Sequence, residues 1–132
     1  MEWTVRAVGQ VSSALAELGA APRQGDEGAP RAWITLAGDV LPAAADISVG
    51  DRLVLLTWLH LADREVLTVH PRDDESRPLT GVFSTRSSDR PNPIGLHPVT
   101  VVAAEPGRLQ VEPLEAVDGT PILDIKVALG PR

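Results

Sequence analysis

The residues best suited to chemistry lie in one polar segment, residues 81–96, which reads Gly-Val-Phe-Ser-Thr-Arg-Ser-Ser-Asp-Arg-Pro-Asn-Pro-Ile-Gly-Leu. A guanidinium group, such as that of Arg86, can bind a carboxylate or a phosphate through two parallel hydrogen bonds. Proline fixes its own φ and biases the preceding residue toward extended geometry. Arg90 and Asn92 are each followed by a proline and are therefore biased away from helix. The segment is predicted to be a stiff, polar loop of the kind that carries binding or catalysis.

The rest of the chain excludes several classes of site. Its 132 residues include no cysteine, so the chain can form neither a disulfide framework nor a thiolate metal site. The three histidines, His60, His70 and His97, lack the spacing of a metal site. No serine lies in a nucleophile elbow, and neither a P-loop nor a dinucleotide-binding glycine motif follows a predicted strand.

The charge of the chain limits its partners. The formal net charge of −6 argues against broad, non-specific binding to nucleic acid, which depends on neutralising phosphates, but it leaves room for a local basic site. The basic residues are arginines except for Lys126. No apolar run is long enough to span a membrane, and the N-terminus does not resemble a secretory signal. The sequence therefore predicts a cytoplasmic protein with no membrane partner.

The elements that must position the polar loop are predicted to be strands. Segment 52–60 is the most apolar of the chain and is expected to be a buried strand, forming a hairpin with 65–70. Trp33 and Trp58 are expected in the core. Residues 12–31 are predicted to be a long loop with a helical turn near 14–18. We expect a short helix or turn over residues 41–47, and strands over residues 6–11, 32–36, 52–60, 65–70, 81–85, 98–104, 108–117 and 122–129.

Short strands at this spacing, without long helices between them, favour an all-β fold. We expect one domain over residues 1–132, a small closed β-barrel with long connecting loops.

Four blocks of the sequence together resemble the signature of the TsaA-like, or TrmO, family, and they occur in the family's order. The longest is the segment 81–96. The second, Asp-Gly-Thr-Pro-Ile-Leu-Asp-Ile-Lys at 118–126, is similar to the family's Asp-Gly-Thr-Pro block. The other two are Pro22-Arg23-Gln24 and the apolar strand that ends in His60. The blocks span nearly the whole chain.

This resemblance implies a small β-barrel methyltransferase that uses S-adenosylmethionine and works as a homodimer, with the cofactor near the dimer interface. The best-described members of the family methylate N6 of threonylcarbamoyl-adenosine next to the tRNA anticodon. Methyl transfer from a sulfonium needs no metal. It needs an aligned nucleophile, a dry pocket and groups that hold the cofactor.

The resemblance also implies cofactor contacts, and a structural interpretation stays open beside each. Arg86 binds the carboxylate of the cofactor, or it binds loop carbonyls. Gln24 recognises the adenosine, or its block is a surface turn. His60 and Leu96 contact the cofactor, or they belong to the core. The Asp118–Pro121 block contacts it, or it is only a β-turn. The full implied set is Pro22, Arg23, Gln24, His60, Leu61, Arg86, Leu96, Asp118, Gly119, Thr120 and Pro121.

The resemblance implies fewer residues that contact the methyl acceptor. Arg90 and Asn92 orient the substrate base, or they lock the loop itself. Asp124 and Lys126 lie two positions apart on a predicted strand and so share one face. They form either a surface ion pair of little energetic weight or part of the active site, in which Asp124 accepts the proton of the substrate nitrogen. The predicted catalytic residues are Asp124, Lys126 and Asn92, and the predicted substrate-binding residues are Arg90 and Asn92.

Two departures from the family pattern keep other functions open. Ser12 stands where the family often has arginine, and Val127-Ala128 stand where it usually has proline and an aromatic residue. Together with the negative charge, they allow a methyltransferase with a small-molecule acceptor. A non-catalytic barrel that binds S-adenosylmethionine is the other alternative.

Overall fold

Six strands close into an antiparallel barrel, and two short strands pair in a separate ribbon. The computed structural model describes residues 1–13 and 31–130. Around the barrel the order is β1-β2-β7-β6-β3-β8, and β8 pairs again with β1, so the predicted all-β barrel is confirmed. The strands are β1 Gly9–Ser12, β2 Ala32–Leu36, β3 Arg52–Trp58, β4 Thr68–Val69, β5 Thr80–Gly81, β6 Ile94–Glu105, β7 Arg108–Glu112 and β8 Pro121–Val127.

Alternate side chains of the strands fill the barrel, as strand geometry requires. In β3, Leu53, Leu55 and Thr57 are buried, while the residues between them face outward. The same alternation puts Trp33 and Trp58 on the outer surface, half-buried, so their expected place in the core is wrong. The buried apolar residues that pack together inside are Val11, Ala32, Ile34, Leu53, Leu55, Val99, Val101, Leu109, Val111, Leu114, Ala116 and Ile122.

Arginine side chains cover both outward-facing indole rings. The guanidinium carbon of Arg108 lies 3.8 Å from the ring centroid of Trp33, and that of Arg64 lies 5.0 Å from the ring centroid of Trp58. Both distances are within the range of cation–π attraction.

Most predicted strands exist, with shifted ends. The prediction over 32–36 matches β2 at both ends. β1 begins later than expected, β3 ends earlier, and β6 begins earlier, at Ile94. A 3-10 helix over Gly38–Ala44 overlaps the turn expected at 41–47. The loop expected at 12–31, with its helical turn, lies almost entirely outside the described residues. No helix among the described residues is long and apolar enough to cross a bilayer.

Two predicted strands are wrong. Segment 65–70 was expected to pair with β3, but both edges of β3 are occupied by β6 and β8. Only Thr68–Val69 is a strand, and it pairs with β5. Segment 81–85 is a strand only at Gly81, because Val82–Ser84 form a 3-10 turn.

A polar pair of the buried Thr57 and the partly buried His97 interrupts the apolar interior. The Oγ1 atom of Thr57 lies 2.7 Å from Nε2 of His97. Gly95 leaves the room that this pair fills, because a Cβ at residue 95 would come within 2.6 Å of both atoms. Removal of the His97 ring from solvent lowers its pKa from 6.5 to about 4. The ring is therefore neutral at pH 7.

We predict that His97 makes the stability of the barrel depend on pH. Because its pKa is lower in the folded than in the unfolded chain, the unfolded chain binds the extra proton between pH 6.5 and about 4. Stability should therefore fall as the pH falls through this interval, by on the order of 3 kcal/mol from this residue. Denaturant unfolding at pH 7 and pH 4 measures the loss.

His97→Gln keeps a hydrogen-bonding side chain but cannot take up the proton, so it should lose less stability than the wild type over the same interval. His60→Gln changes an exposed histidine and serves as the matched control. An equal loss in the wild type and in His97→Gln would contradict the prediction.

Candidate functional site

The antiparallel order of the barrel gathers the motifs of the sequence at one end. β1 and β3 end at Ser12 and Trp58, and β6 and β8 begin at Ile94 and Pro121. β8 is antiparallel to β1 and β3, and β6 is antiparallel to β3. These four strand ends therefore lie at the same end of the barrel, which we call the motif end. The segments attached to them come from four separate parts of the sequence.

The block around His60 follows directly from β3 at the motif end. His60 and Leu61 are exposed, so the interpretation of His60 as a core histidine is wrong. The backbone N–H of Leu59 donates to the carbonyl of Pro93 at 2.8 Å, which ties the end of β3 to the polar loop. His60 and Leu61 are thereby presented to solvent beside the start of β6.

The turn over residues 118–121 is fastened to the end of β1. The backbone N–H of Gly119 donates to the carbonyl of Val11 at 2.7 Å, and that of Ser13 donates to the carboxylate of Asp118 at 3.1 Å. The hydroxyl of Thr120, which is buried, donates to the carbonyl of Val117 at 2.7 Å. The side chains of Asp118 and Thr120 thus hold the turn, and Gly119 supplies its positive φ of 84°.

The Pro22-Arg23-Gln24 block lies outside the described residues. The residues that bracket the undescribed stretch are Ser13, just after β1, and Arg31, just before β2. Since β1 and β2 are antiparallel, both brackets are at the motif end.

Arg90 locks the polar loop onto itself. Its guanidinium group donates to the carbonyls of Val82 at 2.6 Å, Ser87 at 3.1 Å and Thr85 at 3.3 Å. Three main-chain acceptors on one planar donor fix the loop between residues 82 and 87. Of the two interpretations open for Arg90, the structure contains the contacts of the second, in which it locks the loop.

A second lock was not predicted from the sequence. Arg64 donates from Nε to the carbonyl of Pro91 at 2.7 Å and from Nη2 to the side-chain oxygen of Asn92 at 3.0 Å. The N–H of Asp63 donates to the Asp89 carboxylate at 2.8 Å. Nothing in the local spacing indicates these contacts, because the two segments are more than twenty residues apart in sequence and meet only in the fold.

Arg86 differs from Arg64 and Arg90, whose guanidinium groups both donate hydrogen bonds to the polar loop. It is exposed, and within the described residues its guanidinium group has neither an ion pair nor a hydrogen bond. It lines an open cleft of about 1060 Å³. The alternative in which Arg86 binds loop carbonyls therefore does not hold, and the group is available for an anionic ligand.

The remaining predicted residues lie on the outer face of the sheet. Leu96 is 48% exposed, so it is not a core leucine. It pairs with Leu56, and Leu56 pairs with Asp124 on its other side, so all three share one outer face. Lys126 lies two residues along, with its Nζ 3.2 Å from the Asp124 carboxylate. Both charged side chains are more than half exposed, so a solvated ion pair of this kind stabilises the fold little.

The arrangement offers a free guanidinium group, an apolar outer face with a carboxylate beside it, and a loop that is rigid before any ligand binds. Each of these groups suits one part of a small amphipathic anion, the guanidinium group its negative charge and the outer face its apolar part.

Comparison with known proteins identifies the family of the chain. The family model of the tRNA-methyltransferase O N-terminal domain matches residues 10–129. A probable S-adenosyl-L-methionine-binding protein of Methanothermobacter thermautotrophicus is 41% identical over 127 residues, which are 96% of this chain and 90% of the relative. An S-adenosyl-L-methionine-binding protein of Archaeoglobus fulgidus is 37% identical over 92% of this chain and 86% of its own length.

Solved structures agree as well. A TrmO crystal structure superposes with a TM-score of 0.79 at 32% identity, covering 98% of this chain and 58% of its own. TrmO from Pseudomonas aeruginosa superposes with a TM-score of 0.78 at 31% identity, covering 98% of this chain and 57% of its own. The chain thus spans little more than half the length of these structures. It belongs to the family of the tRNA-methyltransferase O N-terminal domain.

Proposed function

We propose that this protein is an S-adenosylmethionine-dependent methyltransferase that methylates N6 of threonylcarbamoyl-adenosine in tRNA. The observation that carries the proposal is the meeting of the family's blocks at the motif end of the barrel, with Arg86 free of any partner within the described residues. Family membership and relatives named as S-adenosyl-L-methionine-binding proteins support the choice of cofactor.

The donor set fits this cofactor. A free guanidinium group matches the methionine carboxylate in charge and in fork geometry. Leu96 offers an exposed apolar surface for the adenine ring, and His60 with Leu61 borders it at the end of β3. The Asp118–Pro121 turn and the Pro22–Gln24 block complete the proposed set.

When bound, S-adenosylmethionine supplies a methyl group on a sulfonium sulfur, and that sulfur keeps the electron pair of the broken bond. The protein aligns the acceptor nitrogen with this methyl group, and the nitrogen gives up a proton as the new bond forms. Asp124 is the proposed proton acceptor, and Lys126, whose Nζ lies 3.2 Å from that carboxylate, is proposed to orient it. Asn92, held by Arg64, and Arg90 border the proposed base site.

One alternative function is favoured by a specific observation. The chain has a net charge of −6 and departs from the family at Ser12 and at Val127-Ala128. A small-molecule acceptor would not require phosphate contacts and would tolerate this charge. The same cofactor site would serve it.

We further propose that the protein works as a homodimer through the outer face of β3 and β6, which we call the apolar sheet face. Cross-strand pairing brings together Trp58 with Ile94, Leu56 with Leu96, and Val54 with Pro98 on this face. Ile94 and Leu96 are 43% and 48% exposed. Asp124 and Lys126 border it across β8. A two-fold contact through this face would cover Leu96 together with its ligand.

Arg86 should determine cofactor affinity. Arg86→Ala is expected to weaken binding of S-adenosylmethionine about 10- to 150-fold, the effect of losing hydrogen bonds to a charged group. Calorimetric titration with S-adenosylmethionine, its demethylated product and ATP measures this, and only the first two should bind the wild type tightly. Arg6→Ala, which removes an exposed arginine paired with Asp39, is the matched control.

Decarboxylated S-adenosylmethionine separates the carboxylate contact from general weakening. It should bind the wild type poorly and should bind Arg86→Ala no more poorly, because the lost contact is the same. Tight binding of ATP, or an Arg86→Ala variant with wild-type affinity, would sink the proposed cofactor site.

The acceptor is tested by methyl transfer from labelled cofactor to tRNA with and without the threonylcarbamoyl group. Only the modified tRNA should be labelled, and its binding should weaken steeply with salt. Asp124→Asn should lower kcat about 100-fold or more, since a positioned proton acceptor contributes at least that factor. Asp39→Asn, at another exposed ion-paired aspartate, should leave kcat unchanged. Turnover that is insensitive to salt and needs no tRNA would favour the small-molecule acceptor.

The dimer is tested by sedimentation velocity. Ile94→Glu places a charge in the apolar sheet face and is expected to shift the protein from dimer to monomer, with its circular dichroism unchanged. Leu41→Glu alters a residue of similar exposure, 38%, on the 3-10 helix and should leave the dimer intact. A wild-type protein that sediments as a monomer at micromolar concentration would rule out this interface.

A further inference from the structure

The cleft that contains Arg86 is larger than one carboxylate requires. It lies between residues 69–77 and the 3-10 turn with the loop that follows it, residues 83–89, and its volume is about 1060 Å³. Arg72 and Arg77 line it in addition to Arg86. Three arginines in one cleft are unusual in a chain whose net charge is −6, so the cleft is a local basic site on an acidic protein.

Two of these guanidinium groups remain once Arg86 is assigned to the cofactor. Arg72 is exposed and, within the described part of the chain, has neither an ion pair nor a hydrogen bond from its side chain. Arg77 contacts Asp74 at 3.6 Å, with both side chains about half exposed, which is a contact of small energetic weight. Asp73 and Asp89 also line the cleft, but the Asp89 carboxylate accepts a backbone N–H. Both arginines can therefore turn to an external anion.

Phe83, the only phenylalanine of the chain, lies in the same cleft with 84% of its surface exposed. Its exposure follows from the anchoring of its turn. Val82, its neighbour, is buried, and the carbonyl of Val82 accepts the 2.6 Å hydrogen bond from Arg90. The turn is thus held from inside, and the ring is presented outward. The exposed face of this ring is therefore open to stacking by a ligand in the cleft.

A flat ring beside exposed guanidinium groups is the combination that binds unpaired nucleotides. Bases stack on aromatic side chains, and arginines neutralise the phosphates between them. Within a duplex, neighbouring base pairs stack on one another and cover the faces of the bases, so the ring has no free face to bind. We infer that this cleft holds an unpaired nucleotide of the RNA acceptor, with its base stacked on Phe83 and its flanking phosphates bound by Arg72 and Arg77.

This inference rests on the proposed RNA acceptor. It adds a location, the cleft, for the nucleotides that flank the reacting base. Arg86 lines the cleft and is also the proposed ligand of the cofactor carboxylate, so the proposed RNA strand and the proposed cofactor share this residue. Two phosphates neutralised on a single strand predict a slope of about −1.4 in log K against log salt.

The test uses fluorescence anisotropy of a labelled eight-nucleotide single-stranded RNA, and of the same RNA annealed to its complement. The wild type should prefer the single strand. Phe83→Leu should weaken single-strand binding about 5- to 150-fold, which is the stacking of one base expressed as a ratio of affinities. Trp3→Leu, at an aromatic residue 79% exposed outside the cleft, should have no effect. The double variant Arg72→Gln with Arg77→Gln should flatten the salt slope, whereas Arg6→Gln should not.

The outcomes separate this cleft from the proposed function. Equal affinities of Phe83→Leu and Trp3→Leu, or equal binding of duplex and single strand, would overturn the inference even if S-adenosylmethionine binds. Loss of cofactor affinity in Phe83→Leu would assign the ring to the cofactor site and overturn it too. If the wild type is a dimer and Phe83→Leu is a monomer, the ring contacts a second copy of the chain, and the inference is overturned. RNA binding that depends on Phe83 in a protein without cofactor affinity would support the cleft while the proposed methyl transfer falls.

Discussion

Strand direction in a closed antiparallel barrel is the constraint on which the site depends. Each strand must leave the barrel at the end where its neighbours enter, so the connections divide into two sets, one at each end. The end of β3 and the starts of β6 and β8 fall in one set. The end of β3 and the start of β8 are about sixty residues apart in sequence, yet strand pairing alone places them at the same end of the barrel. Once the six-stranded order is given, the common location of the blocks follows from the geometry of pairing.

Main-chain carbonyls, rather than carboxylates, hold the polar loop in place. Arg90 donates to three of these carbonyls and Arg64 donates to that of Pro91, so both side chains stabilise the conformation of the loop. Arg86 lies between the same carbonyls in sequence, yet its side chain points into the open cleft. The loop thus divides its arginines between those that fix the backbone and one that is left to a ligand. The proline-rich sequence alone would not have kept Arg86 and Phe83 exposed without that internal support.

The sequence predicted the parts of the fold that have a strong local pattern. Alternation and apolar content identified β2 and β3, and turn residues marked the starts of β7 and β8, although β7 ends at Glu112 and not at residue 117 as predicted. The errors at 65–70 and 81–85 have one cause, since strand character was assigned to segments whose neighbours were unknown. One partner of β3 is β6, which begins thirty-six residues after β3 ends, the other is β8, and no short-range signal indicates either pairing. At the site, the motifs identified the polar loop. They did not indicate its contacts with Asp63 and Arg64, because only the fold brings those two residues near the loop.

The tight fit among Gly95, Thr57 and His97 makes the side chains at these three positions depend on one another. A methyl group at residue 95 would come within 2.6 Å of both polar atoms, and a close-packed interior has little room to absorb it. An alanine at position 95 therefore requires the side chains of Thr57 and His97 to shift or to be replaced by shorter ones. Substitutions at positions separated by up to forty residues in the chain are thus coupled, at the same end of the barrel as the polar loop.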